Sequence, residues 1–125
     1  MKVAVIGSRG LTIDDLGKYL SKDTTEIVSG GAKGVDADAR EYAFAHNIRF
    51  TEFRPDYKRY GSGAAPLKRN IQIIEYSDIV LAFWDGTSKG TKYVIDNCRK
   101  MGVKVRVYTF DENGNKNGLS EDSPK

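Results

Sequence analysis

The first ten residues, MKVAVIGSRG (1–10), decide how the rest of the chain is read. KVAVI, residues 2–6, is β-branched and almost wholly apolar, and GSRG follows at 7–10. A nearly continuous apolar run fits a strand covered on both faces, which is a feature of parallel sheets. Glycine directly after such a run marks a strand-to-helix turn in which backbone lies close to a ligand or another element.

The same pattern recurs along the chain. EIV (26–28), IRFTEF (48–53), IVLAFW (79–84) and VKVRVY (103–108) read as further strands. Between them lie helical patterns. Leu16, Tyr19 and Leu20 suggest a first helix with Thr12 as N-cap and Asp14 and Asp15 in its first turn. Val35, Ala39, Tyr42, Ala43 and His46 trace a face of a second, and Pro66 opens a third with Leu67, Ile71 and Ile74 inward. Thr91, Val94, Ile95, Cys98 and Met101 line a fourth, with Gly102 at its C′ position. Strands alternating with helices predict an α/β, Rossmann-like three-layer domain over residues 1–110. Its sheet is expected to have five mainly parallel strands in the order 3-2-1-4-5. Ligands of such sheets bind beyond the carboxyl ends of the strands, where the strand order reverses.

Composition narrows the function classes. The chain has 125 residues, 20 Lys and Arg against 17 Asp and Glu, a net charge of +3, one His and one Cys. That length suits one domain burying roughly two-thirds of its unfolded surface. No run is long enough to span a membrane, and the apolar stretch before Gly7 is too short for a signal peptide. A single cysteine, Cys98, cannot form an internal disulfide, which suits a reducing cytoplasm. One His and one Cys argue against a zinc site, and no metal is expected. The charge is unevenly spread. The last fifteen residues, DENGNKNGLSEDSPK (111–125), are polar and net acidic and read as a flexible tail. The segment from Arg54 to Asn70 carries Arg54, Lys58, Arg59, Lys68 and Arg69 against Asp56 alone, with Tyr57 and Tyr60 interleaved, and reads as a long basic connection. Arginine forks match phosphate, and tyrosine faces stack on bases.

Three glycine turns converge on the expected ligand edge: Gly7-Ser8-Arg9-Gly10, Ser29-Gly30-Gly31 through Lys33, Gly34 and Asp36, and Asp85-Gly86 through Ser88, Gly90 and Thr91. Each opens a helix, whose first amides and positive end suit phosphate. Strand-to-helix turns also use glycine for purely structural reasons, so any one of them alone is weak. No GxxxxGK[ST] and no GxGxxG is present, which disfavours a Walker ATPase and an ordinary NAD dehydrogenase. Asp36 and Asp85 are candidates for ribose hydroxyls or weak candidates for catalysis. Trp84 would wall a base pocket or fill the core, and His46 and Cys98 read as structural.

GSRG (7–10), SGGAKGVD (29–36), the basic segment ending in KRN (68–70) and AFWDGTSKGT (82–91), in this order, resemble the SLOG superfamily, and within it the small YspA-like group of bacterial and phage proteins. The resemblance covers nearly all of residues 1–108. It implies a Rossmann-like fold, a pocket for a nucleotide or an NAD-derived molecule such as ADP-ribose, no obligatory cofactor, and a homo-oligomer. The superfamily also includes LOG phosphoribohydrolases and the DNA-processing protein DprA, so an N-glycosidase and a nucleic-acid accessory protein are the alternative readings, the second less favoured. LOG enzymes carry PGGxGTxxE. Here Gly90-Thr91 matches the GT, Thr87-Ser88 replaces the preceding residues, and Val94 stands where the catalytic Glu would be. Valine neither moves a proton nor stabilises an oxocarbenium ion. The expectation is therefore a cytosolic binding protein or sensor for a nucleotide-derived anion. Phosphate would rest on Ser8-Arg9 and on Ser88 to Thr91, held by Arg69-Asn70 and Arg54, while Ser29, Gly30 and Gly31 admit the ligand and Asp36 or Asp85 takes ribose hydroxyls.

Overall fold

Strand β1 (Lys2–Gly7) lies in the middle of the sheet, and its apolar run is explained by what covers it. A computed structural model of the protein describes residues 1–31, 33–111 and 116–122. Val3 and Val5 point into one core layer with Ile27, Leu81 and Phe83, whereas Ala4 and Ile6 point into the other with Val28, Val80 and Ala82. Both edges of β1 are paired, with β2 (Glu26–Ser29) on one side and β4 (Ile79–Trp84) on the other.

The remaining strands extend the sheet outward. β3 (Arg49–Glu52) pairs with β2, and β5 (Lys104–Phe110) pairs with β4, all in parallel. The order is β3-β2-β1-β4-β5-β6, so the expected order holds for five strands and a sixth is added. β6 (Lys116–Asp122) pairs antiparallel with β5 and falls within the stretch expected to be a tail. An edge strand needs only one hydrogen-bonded neighbour, so a polar sequence suffices. The Lys116 ammonium lies over the rings of Tyr108, at 5.1 Å, and Tyr19, at 5.5 Å. Residues 112–115 and 123–125, also part of that expected tail, lie outside the described residues.

Among the described residues, three helices cover the sheet. α1 (Val35–Ala45) packs on one face, and α2 (Tyr57–Tyr76) and α3 (Lys89–Met101) pack on the other. α1 starts at Gly34, whose φ is +73° and whose missing Cβ would stand 2.6 Å from the carbonyl oxygens of Arg9 and Leu11. Only glycine permits both that backbone and that approach. α3 stops at Gly102 in the left-handed conformation, as its sequence predicts.

Two helix expectations need correction. The first helix is only a 3-10 turn, Leu16–Tyr19. Leu11, Ile13 and Leu16 are buried by an irregular connection before and into that turn, and Ile13 N donates to Asp38 Oδ2 at 2.7 Å, tying the connection to α1. The Arg54–Asn70 connection is largely helical, because Asp56 caps α2 through Arg59 N at 3.1 Å. Gly61, with φ 78° and ψ 173°, breaks α2 into a short basic turn and a longer helix, and Pro66 lies inside the latter rather than at its start.

At the opposite end of the sheet from the glycine turns, Glu26 is buried and accepts from Thr51 Oγ1 at 2.6 Å and Tyr76 Oη at 2.5 Å, with Arg49 Nε 3.6 Å away. Burial opposes its charge, but the two hydroxyls and nearby Arg49 and Lys2 outweigh that and hold its carboxyl below the ordinary glutamate value. A depressed folded-state pKa stabilises the fold above the unfolded value of about 4.3, and that contribution disappears as pH falls through the folded value. Glu26→Ala, which leaves two hydroxyls without their acceptor, is expected to cost about 1–3 kcal/mol at pH 7. In urea titrations the gap to wild type should narrow below pH 4; a gap independent of pH would show that the charge contributes nothing.

Candidate functional site

Because β1 pairs with β2 on one side and β4 on the other, the connections leaving β1 and β4 separate, and a cleft opens between them. It has a volume of about 490 Å³. Ile6, Gly7, Arg9 and Gly10 come from β1 and its turn, and Gly30 and Asp36 from the turn after β2 and the start of α1. α2 contributes Pro66, Leu67, Arg69, Asn70 and Ile73, while Asp85, Ser88, Gly90, Thr91 and Val94 come from the β4–α3 turn and α3. All three glycine turns thus reach one cavity, as their positions after the strands predict.

The turns after β1 and β4 are clasped together. Ser8 N donates to Phe83 O at 3.0 Å, and the buried Ser8 hydroxyl accepts from Asp85 N at 3.2 Å. Asp85 Oδ1 in turn accepts from Thr87 N at 2.9 Å, Thr87 Oγ1 at 3.2 Å and Ser88 N at 2.8 Å. Desolvation pushes the Asp85 carboxyl up, but these amides and the Thr87 and Ser8 hydroxyls push it down further, so its pKa lies below the ordinary aspartate value. It is an ionised turn-forming carboxylate, unsuited to donate a proton near neutral pH. Trp84 Nε1 donates to Ser88 O at 3.0 Å, so the indole braces the entrance to α3. Ser88, the N-cap, makes no side-chain bond to the helix backbone and instead donates to Thr91 Oγ1 at 3.2 Å. The amides of Lys89, Gly90 and Thr91 precede the bond of Lys92 N to Ser88 O, leaving them without a carbonyl one turn back within the helix.

Arg69 forms the opposing wall. Its Nε donates to Asn70 Oδ1 at 2.8 Å, and its Nη1 donates to Gly30 O at 2.7 Å and, more weakly, to Phe53 O at 3.4 Å. Burial draws its pKa below the usual arginine value, against the pull of Asp36, yet a guanidinium keeps its charge throughout the physiological range. The guanidinium rests directly on Gly30, where a Cβ would stand 2.6 Å from Nη1. Arg69 therefore holds the ends of β2 and β3 together while lining the cleft, which leaves Nη2 as its remaining donor group.

Of the other expected site residues, several are placed elsewhere. Ser8 and Ser29 are buried behind the cleft, and the Ser29 hydroxyl has no hydrogen-bond partner among the described residues. Arg54 projects outward and pairs with Glu52 at 2.7 Å. Gly86 turns the backbone at φ 85° without lining the cavity, and Gly31 lines a second, smaller one. Residues not singled out for the site, Ile6, Pro66, Leu67 and Ile73, contribute to its apolar wall. Their signal in the sequence is indistinguishable from ordinary core patterning. Cys98 is buried and its thiol is pushed up to about 12, which makes it unreactive. Among the described residues no helix is long and apolar enough to cross a membrane.

Gly30→Ala is expected to destabilise the fold by about 1–3 kcal/mol, since the guanidinium of Arg69 must move. In an Arg69→Ala background the same substitution should cost less than about 0.5 kcal/mol. Equal penalties in the two backgrounds, measured by denaturant unfolding, would mean that the contact is not what demands glycine.

No family model matches the chain. The chain is 33% identical to the Gene 61 protein of Mycobacterium phage D29 over 85 residues, covering 63% of this chain and 67% of that protein. With that identity and coverage, it belongs to the same family as this mycobacteriophage protein.

Proposed function

We propose that the protein is a SLOG-like cytosolic binding protein or sensor whose ligand is a nucleotide-derived anion, a nucleoside phosphate or a molecule of the ADP-ribose type. One observation carries the reading. A single cleft brings together Arg9, Arg69 and the first turn of α3 with an apolar wall of Pro66, Leu67 and Ile73. Cations and helix-start amides suit phosphate, and an apolar wall suits a flat base. The ligand's phosphate would face Arg9 and the α3 amides, because most of Arg69 is occupied by Gly30, Asn70 and Phe53.

The test is ligand binding by the purified chain. Saturation with AMP, ADP-ribose or NAD at a hundredfold excess over Kd should add about 2.7 kcal/mol of stability, a rise in Tm of roughly 10 °C. Arg9 is exposed, so Arg9→Ala should fold normally and weaken binding at least tenfold. No thermal shift with any of the three, together with no small molecule released on denaturation, would sink the proposal.

A hydrolase is the second reading, favoured by one observation: Asp36 is buried and lines the cleft. It predicts release of ribose phosphate from a nucleoside monophosphate that is lost in Asp36→Asn. Unchanged turnover in that variant would remove Asp36 from the chemistry.

A further inference from the structure

We propose that the ligand has two ring-bearing ends joined through its phosphates, and that the ring of one end occupies a second cavity beside α1. This rests on the reading of the cleft as a nucleotide site and specifies the kind of molecule it takes.

The second cavity has a volume of about 240 Å³ and lies between α1 and the end of β3. It adjoins the cleft. Asp36 lines both, and the partition is the turn after β2, where Gly30 faces the cleft and Gly31 the second cavity. Gly31 has φ +73°, and a Cβ there would stand 2.6 Å from the Glu52 carboxyl carbon, so a side chain would meet the carboxylate at the partition. The volume of the second cavity is about half that of the cleft.

The two cavities differ in charge. The cleft has Arg9, Arg69 and the start of α3. The second cavity has Asp36, Glu41 and Glu52 against Arg40, and Glu52 is itself paired with Arg54. Its lining also includes Phe44, which is 63% exposed, touches Phe50 edge-on at 6.1 Å and has the Arg40 guanidinium 5.4 Å from its ring centre. Carboxylate oxygens accept from sugar hydroxyls, and an exposed ring stacks on a flat or cationic ring. The same carboxylates repel a phosphate. Phosphate in the cleft and a hydroxylated, uncharged or cationic ring past Asp36 is the arrangement that satisfies both. AMP would fill only the first cavity, while ADP-ribose or NAD would fill both.

Isothermal titration of the full chain with AMP, ADP, ATP, ADP-ribose and NAD tests this. ADP-ribose or NAD should bind at least tenfold tighter than ADP, whereas ATP, extended by a phosphate instead of a ribose, should gain nothing comparable. Glu41 and Phe44 are exposed, so Glu41→Gln and Phe44→Ala should fold normally. Each should weaken ADP-ribose fivefold or more and leave AMP unchanged. ADP-ribose and NAD no tighter than ADP, ATP as tight as ADP-ribose, or variants that leave the AMP to ADP-ribose ratio intact would overturn the second subsite while the nucleotide reading of the cleft stands. Failure of every probe to bind would instead overturn the reading of the cleft and this inference with it.

Discussion

Strand β1 is hydrogen-bonded on both edges and covered on both faces, and the rest of the architecture follows from that placement. Parallel neighbours require crossovers, and right-handed crossovers send the connections toward β2 and β3 over one face and those toward β4 and β5 over the other. α1 therefore lies on the opposite face from α2 and α3. The chain must leave β1 and β4 in diverging directions, and backbone cannot fill the gap between them. The cleft is thus a consequence of strand order, and side chains only decide what it can hold.

Those side chains are largely locked before any ligand arrives. The Ser8–Asp85 clasp fixes the two turns that form one wall, and Arg69 fixes the other by bonding the carbonyls at the ends of β2 and β3. Each contact satisfies backbone groups at strand ends, where the ladder can no longer do so. The same atoms set the local charge, since Asp85 stays ionised and Arg69 stays cationic. Arg9 lies exposed at the mouth with a long side chain. The cleft therefore combines walls braced by hydrogen bonds with one exposed cation, Arg9.

The parts that the sequence makes legible are those in which one physical requirement dominates. β1 and β4 read as buried strands because nothing polar interrupts Val3–Ile6 or Ile79–Phe83, and β5 and α3 read correctly because their apolar residues keep a clear period. The failures are cases of competing requirements. Thr12, Asp14 and Asp15 look like a helix start, but burying Leu11, Ile13 and Leu16 in so short a connection leaves room only for a 3-10 turn. Gly61 and Gly63 look like a loop that ends where Pro66 opens a helix, yet the helix already runs through this stretch and the interruption is confined to Gly61. β6, KNGLSED, has no apolar alternation to mark it as a strand, and it is defined by its antiparallel pairing with β5. In the site, the glycine turns and Arg69 are legible as ligand-edge features. The task of Arg69 in bridging β2 and β3 is not, because it depends on carbonyls 16 and 39 residues away.

The arrangement of acids bears on what chemistry the cleft can support. General acid catalysis near neutral pH needs a carboxyl whose pKa is raised, as burial without hydrogen-bond donors would do. Asp85 has the reverse environment, with three donors on one oxygen and a depressed pKa. Val94, one turn into α3 and lining the cleft, offers no polar atom at all. Asp36 is the other carboxylate of the cleft; it is buried, lines the cavity and supports the charge of the Arg69 guanidinium against the effect of burial. Asp85 is thus suited to accept bonds and not to donate a proton, because the amides and hydroxyl that make it a good acceptor are the groups that keep it ionised.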